Sequence, residues 1–430
     1  MTHSDPIPES KPSSSLYNSN FFIWTALLVI LIYVVVAEFN LSIFFLEHGA
    51  FDKYNEFIDA DPHITLTRAI KGQLNLRHPL ILAMLFPILK AMQFLNAIPY
   101  AEGIVLITTL VSAVSVLQFY FFSTLVFKER LFSFGMALLF AFSFSTVIFT
   151  VVPDIFVLAQ ASIGLMYLVF FLCYYEKRWR ARTRFILIVL TGVMVAGITI
   201  TNGIAFFITL TVFEIAAENS TLRKSFVRIL SATILVIGLL IGLFFLQFII
   251  APHLCNSCSD LAISSVSPYF EHLVSHGSNF SVKELSDFTR QLYGLPSAIK
   301  NMFFPTTPIL DVNIKFSFNE TNFGLNNLVN IVFTLFIMTL IFLGKELRWK
   351  SLWLSLFLSL VFNLIFHIFF GLDFFLYTQH FAFQLFFLLA FSLIRYYRRN
   401  PLMFSFFLFS ITAVELLSTN FVLRFLMSNY

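Results

Sequence analysis

Charged residues are scarce in this sequence of 430 residues. Asp, Glu, Lys and Arg make up only 12% of the chain, whereas 58% is hydrophobic and the mean hydropathy is +0.86. A soluble globular domain carries about 25% charged residues. The composition therefore excludes an ordinary soluble protein. The net charge of +4 is small and gives no reason to expect a nucleic-acid partner.

Cysteine is also rare, with three residues in the chain. Cys173 lies in an apolar segment, whereas Cys255 and Cys258 form the motif CNSC directly after one. A disulfide between these two is plausible if they face an oxidising compartment. A redox or zinc site is less expected, because no second pair of ligands accompanies them. Residues 1–20 lack the basic start of a signal peptide, and we interpret them as a disordered cytoplasmic tail.

Long apolar runs take the place of charge. A helix needs about 20 apolar residues to cross a bilayer, and several runs reach that length. Eleven apolar segments lie near residues 21–46, 103–127, 131–152, 155–175, 185–200, 203–217, 226–251, 326–344, 351–371, 373–394 and 401–423. The sequence therefore predicts an all-α polytopic membrane protein with about 11 transmembrane helices.

Lys and Arg predict the topology. They cluster at residues 128–130, 176–184, 223–228, 345–350 and 395–400, and such clusters mark cytoplasmic ends. Alternation from a cytoplasmic N-terminus places all five inside only if the stretch 78–95 does not cross. That stretch is short and contains Pro87 and Lys90, which suggests an interfacial or re-entrant helix.

This topology divides the chain into four regions. The tail is followed by a transmembrane module at 21–251, whose outer loop spans 47–102. A large outer loop at 252–325 and C-terminal transmembrane helices at 326–430 complete the chain.

The acidic motif DAD lies in the first outer loop. Asp59 and Asp61 would share a face of an extended segment, and either carboxylate could take a proton from an acceptor hydroxyl. Asp61 precedes Pro62, so it could instead be the N-cap of a helix. Two carboxylates are few for a divalent metal, which is possible here but not favoured. The residues alone leave open which aspartate is the base.

Cationic side chains follow on the same side of the membrane, at His63, Arg68, Arg77 and His78. They suit the binding of a phosphate. The alternative is a rim of side chains that reach toward lipid headgroups.

Further polar residues fall at predicted outer turns, at Asp154, Asn202, Asp373, Tyr377 and His380. Asp373, Tyr377 and His380 follow His367 and are separated from one another by four and three residues, so on a helix they would share a face. They could form the wall of a cavity at the membrane edge, or a polar stripe that is satisfied between packed helices. Asp154 follows Pro153 and could simply cap an outer helix.

This arrangement resembles the GT-C superfamily of polytopic glycosyltransferases. The matching features are a first helix followed by a long outer loop with an acidic motif, the helix entry RHPL, the pair Pro153–Asp154, the hairpin GITITN and the late stretch FGLDFFLYTQH. The resemblance covers residues 20–215 well and 351–394 more weakly. It does not cover the loop 252–325.

The resemblance implies transfer of a sugar from a polyprenyl-phosphate donor to an envelope glycan, on the outer side of a bacterial inner membrane. An outer-loop aspartate acts as base in that superfamily, and Asp61 fits the position best, with Asp59 as runner-up. The reaction is typically inverting and no cofactor is required. The expected partners are the lipid-linked donor, the glycan acceptor and membrane lipids; the oligomeric state is not predicted.

Two other functions remain open. An O-antigen ligase or polymerase would use the loop 252–325, which contains His272 and Arg290 among its basic residues. A lipid or sugar transporter would carry charges inside the membrane and broken helices in matching halves. The concentration of ionisable groups on one face favours the enzyme.

Overall fold

The computed structural model describes residues 15–48, 99–152, 156–217, 221–254, 294–306, 325–344, 349–370 and 375–428, with Leu80, Ile88 and Ala91 between them. All regular secondary structure in these residues is helical. The elements are α1 (Ser15–Glu47), α2 (Tyr100–Phe127), α3 (Arg130–Ala141), α4 (Phe144–Val151), α5 (Phe156–Tyr174), α6 (Ala181–Ile198), α7 (Asn202–Ala216), α8 (Leu222–Leu254), α9 (294–303), α10 (Leu325–Leu343), α11 (Lys350–Phe370), a 3-10 segment (Phe375–His380), α12 (Ala382–Arg399) and α13 (Pro401–Ser428).

Eight of the described helices are long and apolar enough to cross a bilayer: α1, α2, α5, α6, α8, α10, α11 and α13. The bent pair α3 and α4 brings the number to nine if it counts as one span. An all-helical polytopic membrane protein is therefore confirmed in the described residues, whereas the number of eleven crossings stays a prediction. Helix α7 has only 15 residues, and α12 carries Arg395, Arg398 and Arg399 near its end.

Three elements differ from the predicted segments. The segment 131–152 is broken by a 53° bend, where the Ser143 side chain accepts a hydrogen bond from the Thr146 amide at 3.4 Å and caps α4. The segment 373–394 begins with a 3-10 turn, and its α-helix starts only at Ala382. Helix α9 lies within the predicted loop 252–325 and is largely buried.

The described residues of the five basic clusters lie together at one end of the bundle, which we call the basic end. Contacts made by these residues or by their neighbours in sequence link the helix ends: Lys128 to Glu176 (3.7 Å), Arg398 to the Phe127 carbonyl (3.1 Å), Arg228 to Glu214 (3.4 Å), Tyr174 to Glu214 (2.5 Å), Tyr175 to Ser351 (2.7 Å) and Arg395 to the Leu343 carbonyl (2.8 Å). The positive-inside rule predicts that this end is cytoplasmic. We call the other end the opposite end.

Helices α1 and α2 run antiparallel. Trp24, near the start of α1, packs on Tyr120 and Phe121, near the end of α2, at 5.3 and 5.2 Å between ring centroids. The chain therefore leaves α1 and enters α2 at the opposite end. The stretch 78–95 lies almost wholly outside the described residues, so its interfacial or re-entrant helix stays a prediction.

Aromatic packing forms the centre of the bundle. Phe122 of α2 stacks on Phe387 of α12 at 4.3 Å, and Phe119 meets Phe383 edge-on at 5.3 Å. Both helices are buried along this face. The shared core fixes α12 against α2, and it thereby positions the 3-10 segment that precedes α12.

Candidate functional site

Three residues singled out in the sequence meet at the opposite end of the bundle. The His380 Nδ1 atom lies 2.8 Å from the Asn202 Oδ1 atom, across 178 residues of sequence. Asn202 begins α7 after the short turn from α6, and His380 ends the 3-10 segment. Both side chains are buried, and Tyr377 lies on the same 3-10 segment. Residues spaced by three eclipse one another in a 3-10 helix, so Tyr377 and His380 share a face.

His367 completes this group from the end of α11. Its ring stacks on Tyr377 with 4.1 Å between centroids and an interplanar angle of 12°, and it lies 5.3 Å from the His380 ring. Phe156, at the start of α5, meets His380 edge-on at 5.7 Å. Four elements, α5, α7, α11 and the 3-10 segment, therefore contribute to one cluster.

Side-chain amides hold the 3-10 segment in place. Asn363 and Gln384 both donate to the His380 carbonyl, at 3.2 and 3.3 Å, and Gln379 donates to the Ser145 carbonyl at 2.6 Å. Phe375 packs between Phe144 and Phe149. The end of a helical turn leaves carbonyl groups without partners, and these amides satisfy one of them. The segment is thus fixed by its neighbours on α4, α11 and α12.

Several buried polar atoms of this cluster have no hydrogen-bond partner among the residues that the structure describes. They are both ring nitrogens of His367, Asn202 Nδ2, Thr378 Oγ1, Gln379 Oε1 and Gln384 Oε1. A buried polar group without a partner costs about 1–3 kcal/mol. The set combines donors with acceptors and contains no side chain of fixed charge. Such a set suits a neutral ligand that is rich in hydroxyl groups.

The first outer loop reaches this end of the bundle through Leu80. Its amide donates to the Gly197 carbonyl at the end of α6, at 2.8 Å. A Cβ atom on Gly197 would lie 2.9 Å from the Leu80 Cβ atom, so only glycine permits this approach. Leu80 is the last residue of the RHPL motif, and Gly197 is the first of GITITN. Two of the motifs are therefore in contact, five residues from Asn202.

The other predicted site residues lie outside the described part of the chain. They are Asp59, Asp61, His63, Arg68, Arg77, His78, Asp154 and Asp373, and the same holds for Cys255 and Cys258. Among the described residues, no three His, Cys, Asp or Glu side chains come together as metal ligands do.

Four residues of this site were not predicted from the sequence: Asn363, Gln379, Gln384 and Phe156. One signal for Asn363 was present: Ser355, Ser359, Asn363 and His367 repeat every four residues within an apolar span. That spacing places them on one face of α11, and all four are buried. Gln379 and Gln384 carry no comparable periodicity, and Phe156 is one of 59 phenylalanines.

No family model matches the sequence, and a search of curated proteins found no match either.

Proposed function

We propose that this chain is a GT-C-type membrane glycosyltransferase that transfers one sugar from a polyprenyl-phosphate donor to an envelope glycan, such as an O-antigen or lipopolysaccharide unit. The reaction takes place on the outer side of a bacterial inner membrane. One observation carries the proposal: Asn202, Tyr377 and His380 converge with His367 at the opposite end of the bundle. Leu80, the last residue of the RHPL motif, contacts Gly197, five residues before Asn202.

The chemistry needs few groups. A lipid phosphate leaves as a stable anion, so no general acid is required at the leaving group. Asp61, or Asp59 in its place, takes the proton from the acceptor hydroxyl, whose oxygen attacks the anomeric carbon as the bond to phosphate breaks. Attack from the face opposite the phosphate inverts that carbon. Positive charge near the phosphate stabilises the negative charge that develops on it.

Two groups of residues bind the two parts of the donor. The cationic side chains of the first outer loop, His63, Arg68, Arg77 and His78, hold the phosphate. The cluster around His367 and His380 offers neutral donors and acceptors, which suit the hydroxyl groups of a sugar. Asp154 and Asp373 flank this cluster in the sequence and are further candidates for sugar contacts. No metal is required, because Arg and His balance the charge of a monophosphate.

The test is transfer of a labelled sugar from synthetic polyprenyl-phosphate-sugar by the full chain in lipid nanodiscs. We expect the Asp59→Asn/Asp61→Asn double variant to lose transfer, and the single variants to identify the base. Glu56→Gln is the matched control, because it neutralises an acid of the same loop outside the DAD motif. Wild-type transfer by the double variant refutes the mechanism. A donor that works only as a diphosphate indicates a ligase or polymerase that uses the loop 252–325.

A transporter is the second candidate, and one observation favours it. Glu38 of α1 and Glu415 of α13 are buried within membrane-spanning helices, and none of their carboxylate oxygens has a hydrogen-bond partner in the described residues. Ionisable residues inside a membrane often mark ion or proton pathways. Proton uptake by proteoliposomes that is lost in Glu38→Gln or Glu415→Gln, with sugar transfer absent throughout, would favour this function.

A further inference from the structure

An apolar groove lies between the C-terminal helices. Its volume is about 860 Å³, which falls within the range of about 300–1,000 Å³ that is usual for small-molecule sites. Helices α10, α12 and α13 form its walls, and α9 covers one end. Its lining is almost wholly hydrophobic and includes Phe303, Phe333, Ile337, Leu389, Leu393 and Phe407.

The groove ends in polar groups at the basic end of the bundle, at Tyr396, Arg399 and Asn400. From Leu389 to Arg399 it follows ten residues of α12, which is about 15 Å at 1.5 Å per residue. The hydrocarbon core of a bilayer is about 30 Å thick. The groove is therefore about as long as one leaflet is deep, and it opens at the leaflet next to the basic end.

Arg399 differs from the other arginines of α12. Arg395 donates to the Leu343 carbonyl, and Arg398 contacts both the Phe127 carbonyl and Glu129. Arg399 is exposed and makes no hydrogen bond or ion pair within the described residues, although it lines the groove. A cation at the mouth of an apolar groove, at the depth of the lipid headgroups, complements an anionic phosphate.

We propose that this groove binds an anionic phospholipid of the cytoplasmic leaflet. One acyl chain lies between α10, α12 and α13, and the headgroup phosphate contacts the Arg399 guanidinium. The polar and apolar parts of the site match those of the lipid in order and in length. The site does not depend on the proposed sugar transfer, because it lies at the other end of the bundle from the candidate functional site.

The experiment is a titration of the full chain with phosphatidylglycerol and with phosphatidylcholine of the same acyl chains, followed by native mass spectrometry. A basic side chain near an anionic surface contributes about a five-fold change in binding. We therefore expect phosphatidylglycerol to bind about five-fold more tightly than phosphatidylcholine, and Arg399→Gln to remove that difference. Ser410→Trp, which fills the groove, should weaken the binding of both lipids.

Arg182→Gln is the matched control. It removes an exposed arginine of the basic end that makes no hydrogen bond or ion pair in the described residues and does not line the groove. Equal binding of the two lipids by the wild type, or equal effects of Arg399→Gln and Arg182→Gln, overturns the proposal. Displacement by polyprenyl phosphate or burial of the groove in a dimer does the same, because another occupant would then be shown. If Ser410→Trp does not fold, the comparison of Arg399→Gln with Arg182→Gln still tests the proposal.

Discussion

Two buried polar groups of residues, one at each end of the bundle, differ in how far their hydrogen bonds are satisfied. At the basic end, the Glu214 carboxylate accepts hydrogen bonds from Tyr174 (2.5 Å) and Arg228 (3.4 Å), and its backbone carbonyl accepts one from Ser225 (2.8 Å). At the opposite end, neither ring nitrogen of His367 has a hydrogen-bond partner among the described residues, and the Asn202 amide nitrogen has none either.

The difference separates structure from function. A satisfied buried network contributes to stability, and breaking it is costly. An unsatisfied group lowers stability, so it persists where a ligand uses it, and its removal often stabilises a protein while activity is lost. The Glu214 network therefore holds helices together at the basic end, whereas the group around His367 is the candidate site at the opposite end. Substitutions in the first group should therefore change stability, and substitutions in the second should change activity.

His367→Phe should produce the largest effect. Phenylalanine keeps the stack on Tyr377 but removes both unpartnered nitrogens. We expect sugar transfer to fall by about 100-fold, which is about 2.7 kcal/mol in the activation barrier, while the thermal midpoint in detergent stays the same or rises. Transfer rates and thermal unfolding of the same preparation provide the measurement.

His48→Phe is the control for this variant. His48 also lies at the opposite end and stacks on an aromatic ring, Phe44, at 4.1 Å, but it is exposed and its Nδ1 atom has a partner in the Phe44 carbonyl. It should retain full transfer. If the His367→Phe protein is stable and has wild-type activity, His367 is not part of the site. If the variant is less stable than the wild type, His367 supports the fold as Glu214 does.

Glu214→Leu should act on stability alone. The substitution leaves the Tyr174 hydroxyl without its acceptor and frees Arg228, whose side chain is 44% exposed and can return to water. Breaking a buried pair costs up to about 3–5 kcal/mol, and the exposure of Arg228 lowers the expected loss to about 2 kcal/mol. Unfolding in an SDS titration measures it, with Tyr174→Phe completing a double-mutant cycle. An unchanged free energy of unfolding would mean that the network is dispensable.

Gly197→Ala tests the contact between the first outer loop and the hairpin. The new Cβ atom would lie 2.9 Å from the Leu80 Cβ atom and 3.3 Å from Leu240. Overpacking of this kind costs about 1–3 kcal/mol, so we expect about tenfold faster hydrogen exchange at the Leu80 amide. Sugar transfer should fall with it, because the RHPL segment is then less firmly held.

The control for the glycine substitution is Gly238→Ala. A Cβ atom at Gly238 meets nothing within 4 Å, so exchange at Leu80 should not change. Equal exchange rates in both variants would show that the Leu80 contact does not hold the loop.

Periodic patterns in the sequence predicted much of the fold. Apolar runs predicted the long helices, and Lys and Arg predicted which ends lie together, because both signals are local. The bend at Ser143 was missed, since it contains neither proline nor glycine and depends on one side-chain cap. The start of α12 was placed nine residues too early, because a 3-10 segment held by Asn363 and Gln379 has the same apolar composition as a helix.

The candidate site was predicted in part for a similar reason. Asn202, Tyr377 and His380 were recognisable as polar residues at predicted outer turns. The stack of His367 on Tyr377 and the amides that hold the His380 carbonyl depend on packing between α11, the 3-10 segment and α12. No local pattern encodes such packing. The residues of the first outer loop stay predictions from sequence.

Substitutions of Lys128 should have the smallest effect, and they test whether charge or geometry matters at the basic end. Its pair with Glu176 spans 3.7 Å with side-chain exposures of 60% and 31%, and exposed pairs of this kind contribute about 0–1 kcal/mol. Lys128 also ends α2 in the left-handed conformation, with φ of 61°, which glycine adopts more readily.

We therefore expect Lys128→Ala to lower the free energy of unfolding by less than about 0.5 kcal/mol and Lys128→Gly to leave it unchanged or raise it slightly. A larger loss in both variants, measured in the same SDS titration, would show that surface charge stabilises the basic end. The expected result would show instead that buried contacts such as those of Glu214 stabilise the basic end.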